Sequence, residues 1–192
     1  MVELPLSKPN TMKNTLRDNL EQICHEFTEA YECLLGSDTI GTCYLIGHCL
    51  SEGFKRAGYK ALEETGTVIY KDGLGKNVIY GKQLVKGRLI GYFHTWCKVQ
   101  FGEKEIIIDP SYKYNKMSYK HYGFKPNKRI PDFIITEHND CWLYRFIQDN
   151  SLTSQSKQWL TRIPSELIEE LIQKVQDSVE KWIGCPNILL FD

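Results

Sequence analysis

Apolar residues recur every three or four positions from Met12 to Leu35: Met12, Leu16, Leu20, Ile23, Phe27, Tyr31 and Leu34. At 3.6 residues per turn they fall on one stripe, so the spacing predicts an amphipathic helix, with Asn10 or Thr11 able to cap its start and Gly36 its end. The same period returns in Cys43–Ala57, where Ile46, Leu50 and Phe54 form the inward stripe beside Leu45 and Cys49, and Gly58 is placed to stop it. It returns again in Ser165–Ile183, where Ile168, Leu171, Ile172, Val175, Val179 and Trp182 align ahead of Gly184 and Pro186. Ser154–Leu160 reads as a short additional helix.

Between the second helix and the last, the period changes to two. Phe93, Thr95, Cys97, Val99 and Phe101 alternate with His94, Trp96, Lys98 and Gln100, the signature of a half-buried strand. Gly102-Glu103 predicts a two-residue hairpin turn, and Lys104–Ile108 the return strand, closed by Asp109-Pro110. Thr65–Lys71, Val78–Tyr80, Asp132–Glu137 and Cys141–Ile147 read as further strands from their β-branched and aromatic content. Lys82–Arg88 reads as a basic connection and Tyr112–Pro131 as a long loop. Helices flanking a run of antiparallel strands predict one α+β domain over residues 1–192, with a core at about 37–150 and outer helices at 12–35 and 165–183.

Composition narrows the function classes. The 24 basic residues balance the 24 acidic ones, so the whole chain has no electrostatic bias toward nucleic acid or an anionic membrane. Seven cysteines, an odd number, and a polar Met1–Asn10 without a signal-peptide core predict free thiols and a cytoplasmic location. No run approaches membrane-span length. No acidic loop suits calcium, Gly73-Leu74-Gly75 lacks the rest of a phosphate loop, and no cofactor is expected. Tyr112–Pro131 is a local exception to the charge balance: six basic residues and no acid, interleaved with Tyr112, Tyr114, Tyr119, Tyr122 and Phe124. That pattern suits base stacking and phosphate contact, the rim of a substrate cleft, or a solvated loop whose rings pack inward.

The candidate chemistry sits at three points. Cys43 lies at the start of the second helix, where free amides and the helix dipole favour a thiolate, and Gly41 lets a substrate approach the backbone closely. A single buried cysteine would look the same. His94 and Asp109 lie on facing strands. If Phe101 pairs with Lys104, Trp96 is opposite Asp109 and His94 is its diagonal neighbour; with the turn slid back by one residue His94 is directly opposite, on the same face. A nucleophile, a base and an orienting carboxylate thus follow in chain order, 51 and then 15 residues apart. Cys24-His25, Cys49 and His48 read as packing or surface residues, and His138 with Cys141 lacks the partners of a zinc site.

Gly41-Thr42-Cys43 with its apolar helix and Gly58-Tyr59, His94-Thr95-Trp96 with Val99, and Ile107-Ile108-Asp109-Pro110-Ser111 together resemble the transglutaminase-like branch of the papain-like cysteine enzymes. The resemblance covers about 40 % of the chain, Thr39–Tyr112. Tyr44 and Cys97-Lys98 stand where many members carry Trp and an acid. It implies a nucleophile helix packed on an antiparallel sheet and thiol-dependent acyl chemistry on an amide or peptide bond by Cys43, His94 and Asp109. The Cys43 N–H is then an oxyanion donor, with Gln22 as a second by analogy, and Tyr44, Trp96 and Tyr112 are candidates for substrate contact. The expected partner is a peptide or protein substrate. The alternatives are an acyltransferase on the same triad, of transglutaminase or arylamine N-acetyltransferase type, or a non-catalytic module binding through 112–131.

Overall fold

The computed structural model describes residues 10–36, 39 and 41–186, with side chains from residue 16 onward. The expected cap at Asn10 or Thr11 and the stripe position Met12 lie outside the described side chains. Among the described residues five helices run α1 (Asn10–Leu35), α2 (Cys43–Arg56), α3 (Tyr112–Ser118), α4 (Thr153–Leu160) and α5 (Ser165–Trp182). Seven strands run β1 (Ala61–Lys71), β2 (Asn77–Tyr80), β3 (Arg88–Gly91), β4 (His94–Phe101), β5 (Lys104–Asp109), β6 (Ile134–Thr136) and β7 (Tyr144–Gln148). The fold is α+β. No helix among the described residues is long and apolar enough to cross a membrane.

One sheet carries the strands in the order β3-β2-β1-β4-β5-β6, with β7 also on β1. The expected antiparallel sheet needs one correction: β3 joins β2 in parallel, so the sheet is mixed. β3 itself escapes the sequence because four residues, Arg-Leu-Ile-Gly, flanked by polar turn residues, carry too short a pattern to separate from a connection. Gly66 pairs with His94 of β4 and with Gln148 of β7, while Val68 pairs with Tyr80 of β2 and again with β7. A residue has one bonding edge on each side, so β7 takes one edge of β1 and β4 and β2 share the other end to end. His94 therefore starts its strand where β2 leaves off.

Strand alternation splits the interior into two layers. Phe93, Cys97, Val99, Ile106 and Ile108 face α1, α2 and α5, meeting Phe27, Leu50, Phe54, Ile172 and Val175. Trp96, Ile107, Val68 and Tyr70 face the other way, onto Tyr112, Tyr119, Phe124 and Ile130. This second layer corrects the loop reading of 112–131 over its first half and bears out the alternative in which its rings pack inward. Its first half is helical, α3 followed by a 3-10 turn over Tyr119–Tyr122, and Tyr112, Tyr114, Tyr119 and Phe124 are buried. Those rings are core, so they offer no face for stacked bases. The lysines alternate with them because the segment is amphipathic.

α2 reaches the sheet through Gly47. A Cβ there would stand 2.7 Å from Thr95 Cγ2 and 3.1 Å from the Trp96 nitrogen, so only glycine allows this helix so close to β4. Gly47→Ala should push α2 off the strand and lower stability by about 1–3 kcal/mol. Urea midpoints for the two proteins check this, and an alanine variant as stable as wild type would mean the close approach is dispensable. α5 is tied to α1 by Glu26, which accepts from Ser178 Oγ at 2.7 Å and Trp182 Nε1 at 2.9 Å and pairs with Lys181. Burial opposes its charge, but these donors hold its carboxyl down to about 2.

Candidate functional site

The hairpin takes the first of the two expected registers. Phe101 pairs with Lys104 and Cys97 with Ile108, which puts Trp96 across from Asp109 and His94 diagonal to it. The imidazole bridges that diagonal: Nε2 lies 2.9 Å from Asp109 Oδ2, with both side chains fully buried. Four donor contacts meet the carboxylate. Oδ2 faces His94 and accepts from the Tyr70 hydroxyl at 3.1 Å, and Oδ1 accepts from the Ser111 backbone N–H at 3.0 Å and the Ser111 hydroxyl. Burial works against the Asp109 charge, but His94 and the Ser111 donors outweigh it, and its pKa lies below the ordinary carboxylate value.

With Nε2 committed to Asp109, Nδ1 is the nitrogen left over, and it has no well-aligned partner. Beside Asp109, Cys43 is the group that acts on the charge of the imidazole. Burial disfavours the imidazolium, yet Asp109, and after it the charge and hydrogen bonding of Cys43, push the His94 pKa up to about 10. A thiol that influences the ring without closing a well-formed bond is common in ligand-free catalytic pairs, where such contacts tighten on substrate binding. Tyr70, Tyr80, Trp96 and Phe146 surround the imidazole at ring separations of 6.0–6.3 Å and exclude water from it.

Cys43 opens α2 and is 7 % exposed. Gly41 turns the chain into it at φ 79°, in the left-handed region that suits glycine. Thr42 sits at the cap position but spends its hydroxyl on the Thr39 carbonyl at 2.6 Å, and the Tyr31 hydroxyl bonds to it. The Thr42 carbonyl takes the Leu45 and Ile46 amides. The Cys43 and Tyr44 amides make no hydrogen bond among the described residues, as the first amides of a helix do not within the helix itself.

The other expected contacts are corrected. Gln22 is exposed on α1, on the side opposite Tyr31, nine residues and about 13 Å along the axis from the one α1 side chain that bonds to Thr42. It is not brought to Cys43. Trp96 is 1 % exposed and gives its indole N–H to Glu64 at 2.9 Å; Tyr112 is wholly buried against Tyr70, rings 4.9 Å apart. Both are supports behind the site, not its surface. Tyr44 is nearly buried under Trp159, which is 39 % exposed and carries the Arg162 guanidinium 4.3 Å above its ring. Two cavities, about 290 Å³ beside Tyr144 and about 470 Å³ beside Ile130, are lined by neither Cys43 nor His94. Cys24 and Cys49 are core as expected, His48 pairs with Glu63 at 2.9 Å, and no cluster of three or more metal-ligating side chains occurs among the described residues.

Sequence reasoning missed Tyr70 and Ser111. Ser111 carried a signal, its place in Asp109-Pro110-Ser111. Tyr70 carried none, because an aromatic in a strand is ordinary and its partners lie 24 and 39 residues away.

The buried pair makes stability depend on pH. His94 binds its proton more tightly folded than unfolded, so its contribution is complete below about pH 6.5 and is lost as pH rises through about 10. Asp109 is depressed, so its contribution is present above about pH 4 and is lost as pH falls through its folded value. Stability should be greatest between those limits. Buried Cys24, Cys49 and Cys97, all raised by burial, add to the loss above about pH 9. Urea midpoints from pH 6 to 10 should therefore fall less steeply in His94→Gln than in wild type, and parallel curves would count against the pair.

No family model matches the chain. No curated protein matches it by sequence. Among solved structures, the crystal structure of a genomics target shares the fold at a TM-score of 0.51 and 10 % identity, over 83 % of this chain and 78 % of the other. The chain is thus an α+β domain with a mixed sheet and a fold found in at least one other protein, in which a histidine and an aspartate form a buried pair on neighbouring strands.

Proposed function

We propose that this protein is a thiol-dependent acyl-transfer enzyme acting on an amide or peptide bond, on a core of transglutaminase-like, papain-like type. The observation that carries the reading is the imidazole fixed by Asp109 through Nε2, with Nδ1 left for a cysteine at the start of α2. With its pKa raised to about 10, His94 is an imidazolium at pH 7, its Nε2–H held by Asp109 and its Nδ1 carrying the proton taken from Cys43. Sγ, already relieved of that proton, attacks the carbonyl carbon. The oxyanion then forms beside the Cys43 and Tyr44 amides. Collapse breaks the C–N bond, and Nδ1 returns its proton to the leaving amine. The Cys43 thioester is resolved by water, which makes the protein a hydrolase, or by an amine, which makes it a transferase.

A peptidyl or acyl electrophile that mimics an activated amide tests the reading. Mass spectrometry should find one adduct, on Cys43 and not on exposed Cys33 or Cys185, at pH 7. Labelling that follows exposure and skips Cys43 would remove the proposal.

A further inference from the structure

The Tyr70 hydroxyl is wholly enclosed in the middle of the sheet and touches both members of the buried pair. It lies 3.1 Å from Asp109 Oδ2 and 3.4 Å from His94 Nε2, on the same carboxylate oxygen that meets the imidazole. Nothing about strand packing requires a polar atom there, since a phenylalanine would fill the same ring volume between Tyr80 and Tyr112, whose rings lie 6.0 and 4.9 Å away. A buried hydroxyl carries a desolvation cost unless it is bonded, so its bond is where its value lies. Burial, followed by the Asp109 charge, pushes its pKa well up, so the group is a donor at any working pH.

We infer that Tyr70 is a positioning residue for the candidate triad, holding Asp109 Oδ2 in line with His94 Nε2 so that Nδ1 stays turned to Cys43. Ser111 fixes the other oxygen, Oδ1, from the chain next to Asp109. Oδ2 has no such local support. Its fixed donor comes from β1, a strand that does not neighbour β5 in the sheet. The carboxylate is thereby clamped at both ends, and the imidazole inherits its orientation from the clamp. The inference rests on the proposed chemistry only for its kinetic readout; the positioning itself concerns His94 and Asp109.

The test is a double-mutant cycle with Tyr70→Phe and Asp109→Asn, read as the rate of Cys43 alkylation by iodoacetamide at pH 7 and as the His94 ring-nitrogen NMR titration. Tyr70→Phe should slow alkylation about tenfold in the wild-type background and less than twofold in Asp109→Asn, because the charge it steadies is then gone. The His94 titration should move downward in Tyr70→Phe, since Oδ2 is no longer held in line with Nε2 and supports the imidazolium less. In the unmodified protein, the Tyr70 hydroxyl proton should be slow to exchange and lie close to the His94 ring protons, a measurement that needs no variant to fold. An equal rate loss in both backgrounds, an unmoved titration or a freely exchanging hydroxyl would each overturn the assignment. If wild-type Cys43 fails to react at all, the acyl-transfer reading falls, while the titration and the hydroxyl proton still decide the role of Tyr70.

Discussion

Cys43→Ala should abolish covalent capture and turnover while leaving the protein folded, with stability within about 1 kcal/mol of wild type. The side chain lost is small, and alanine suits the first turn of a helix better than cysteine. The chemistry lost is complete, because no other thiol is placed to replace it. Cys24, Cys49 and Cys97 are buried away from any opening, with their pKa values pushed up by burial. The change should also be visible at His94. Cys43 is one of the two groups that raise the imidazole to about 10, so its removal should bring that titration down, though Asp109 keeps it above the ordinary histidine value. Turnover of an acyl substrate and the His94 titration, measured together, separate the two effects. A variant that retains turnover would place the nucleophile elsewhere.

Asp109→Ala should be the more damaging substitution, costing about 3–5 kcal/mol of stability and reducing Cys43 reactivity on the order of 10³-fold. The stability loss has a specific source. Removing the carboxylate strands the Ser111 amide and hydroxyl, the Tyr70 hydroxyl and the His94 N–H, all inside the protein. His94 can relieve part of this by giving up its extra proton, but then it no longer stabilises a thiolate. Asp109→Asn should fall between the two. The amide oxygen can still accept from Nε2, but its NH₂ is then directed at the Ser111 backbone N–H, and two donors facing each other cannot bond, although the Ser111 hydroxyl can turn to accept. Chemical denaturation and alkylation rates should rank wild type, Asn and Ala in that order on both scales. If alanine is as stable as wild type, the buried pair is not the structural centre described here.

The periodic elements were legible because each is set by local chemistry. The stripe of α2, the alternation of β4 and the Gly102 turn all come from residues near one another in sequence. They fix the hairpin, and with it the meeting of His94 and Asp109, whichever of two registers is taken. The tyrosine-rich segment misled because lysines and aromatics interleave both in a binding loop and in an amphipathic cover. What separates the two is whether a second apolar sheet face exists to be covered, and Val68, Tyr70 and Trp96 supply one. The substrate-contact candidates Trp96 and Tyr112 failed for the same reason. Their rings lie on the right side of the sheet, but beneath its cover.

By itself the sequence determined four of the helices and every strand but β3, the start of α2 at Cys43, and the facing of His94 and Asp109, since these follow from period, turns and register over short spans. Only the tertiary structure decided that α2 packs directly on β4, through Gly47 against Thr95. It alone decided that β3 enters in parallel, that Gln22 points away, and that Tyr70 reaches Asp109 from a strand two places across the sheet. Each of these is a contact between residues far apart in the chain. Its energy comes from close packing and from satisfying buried polar groups, and neither leaves a periodic trace along the sequence.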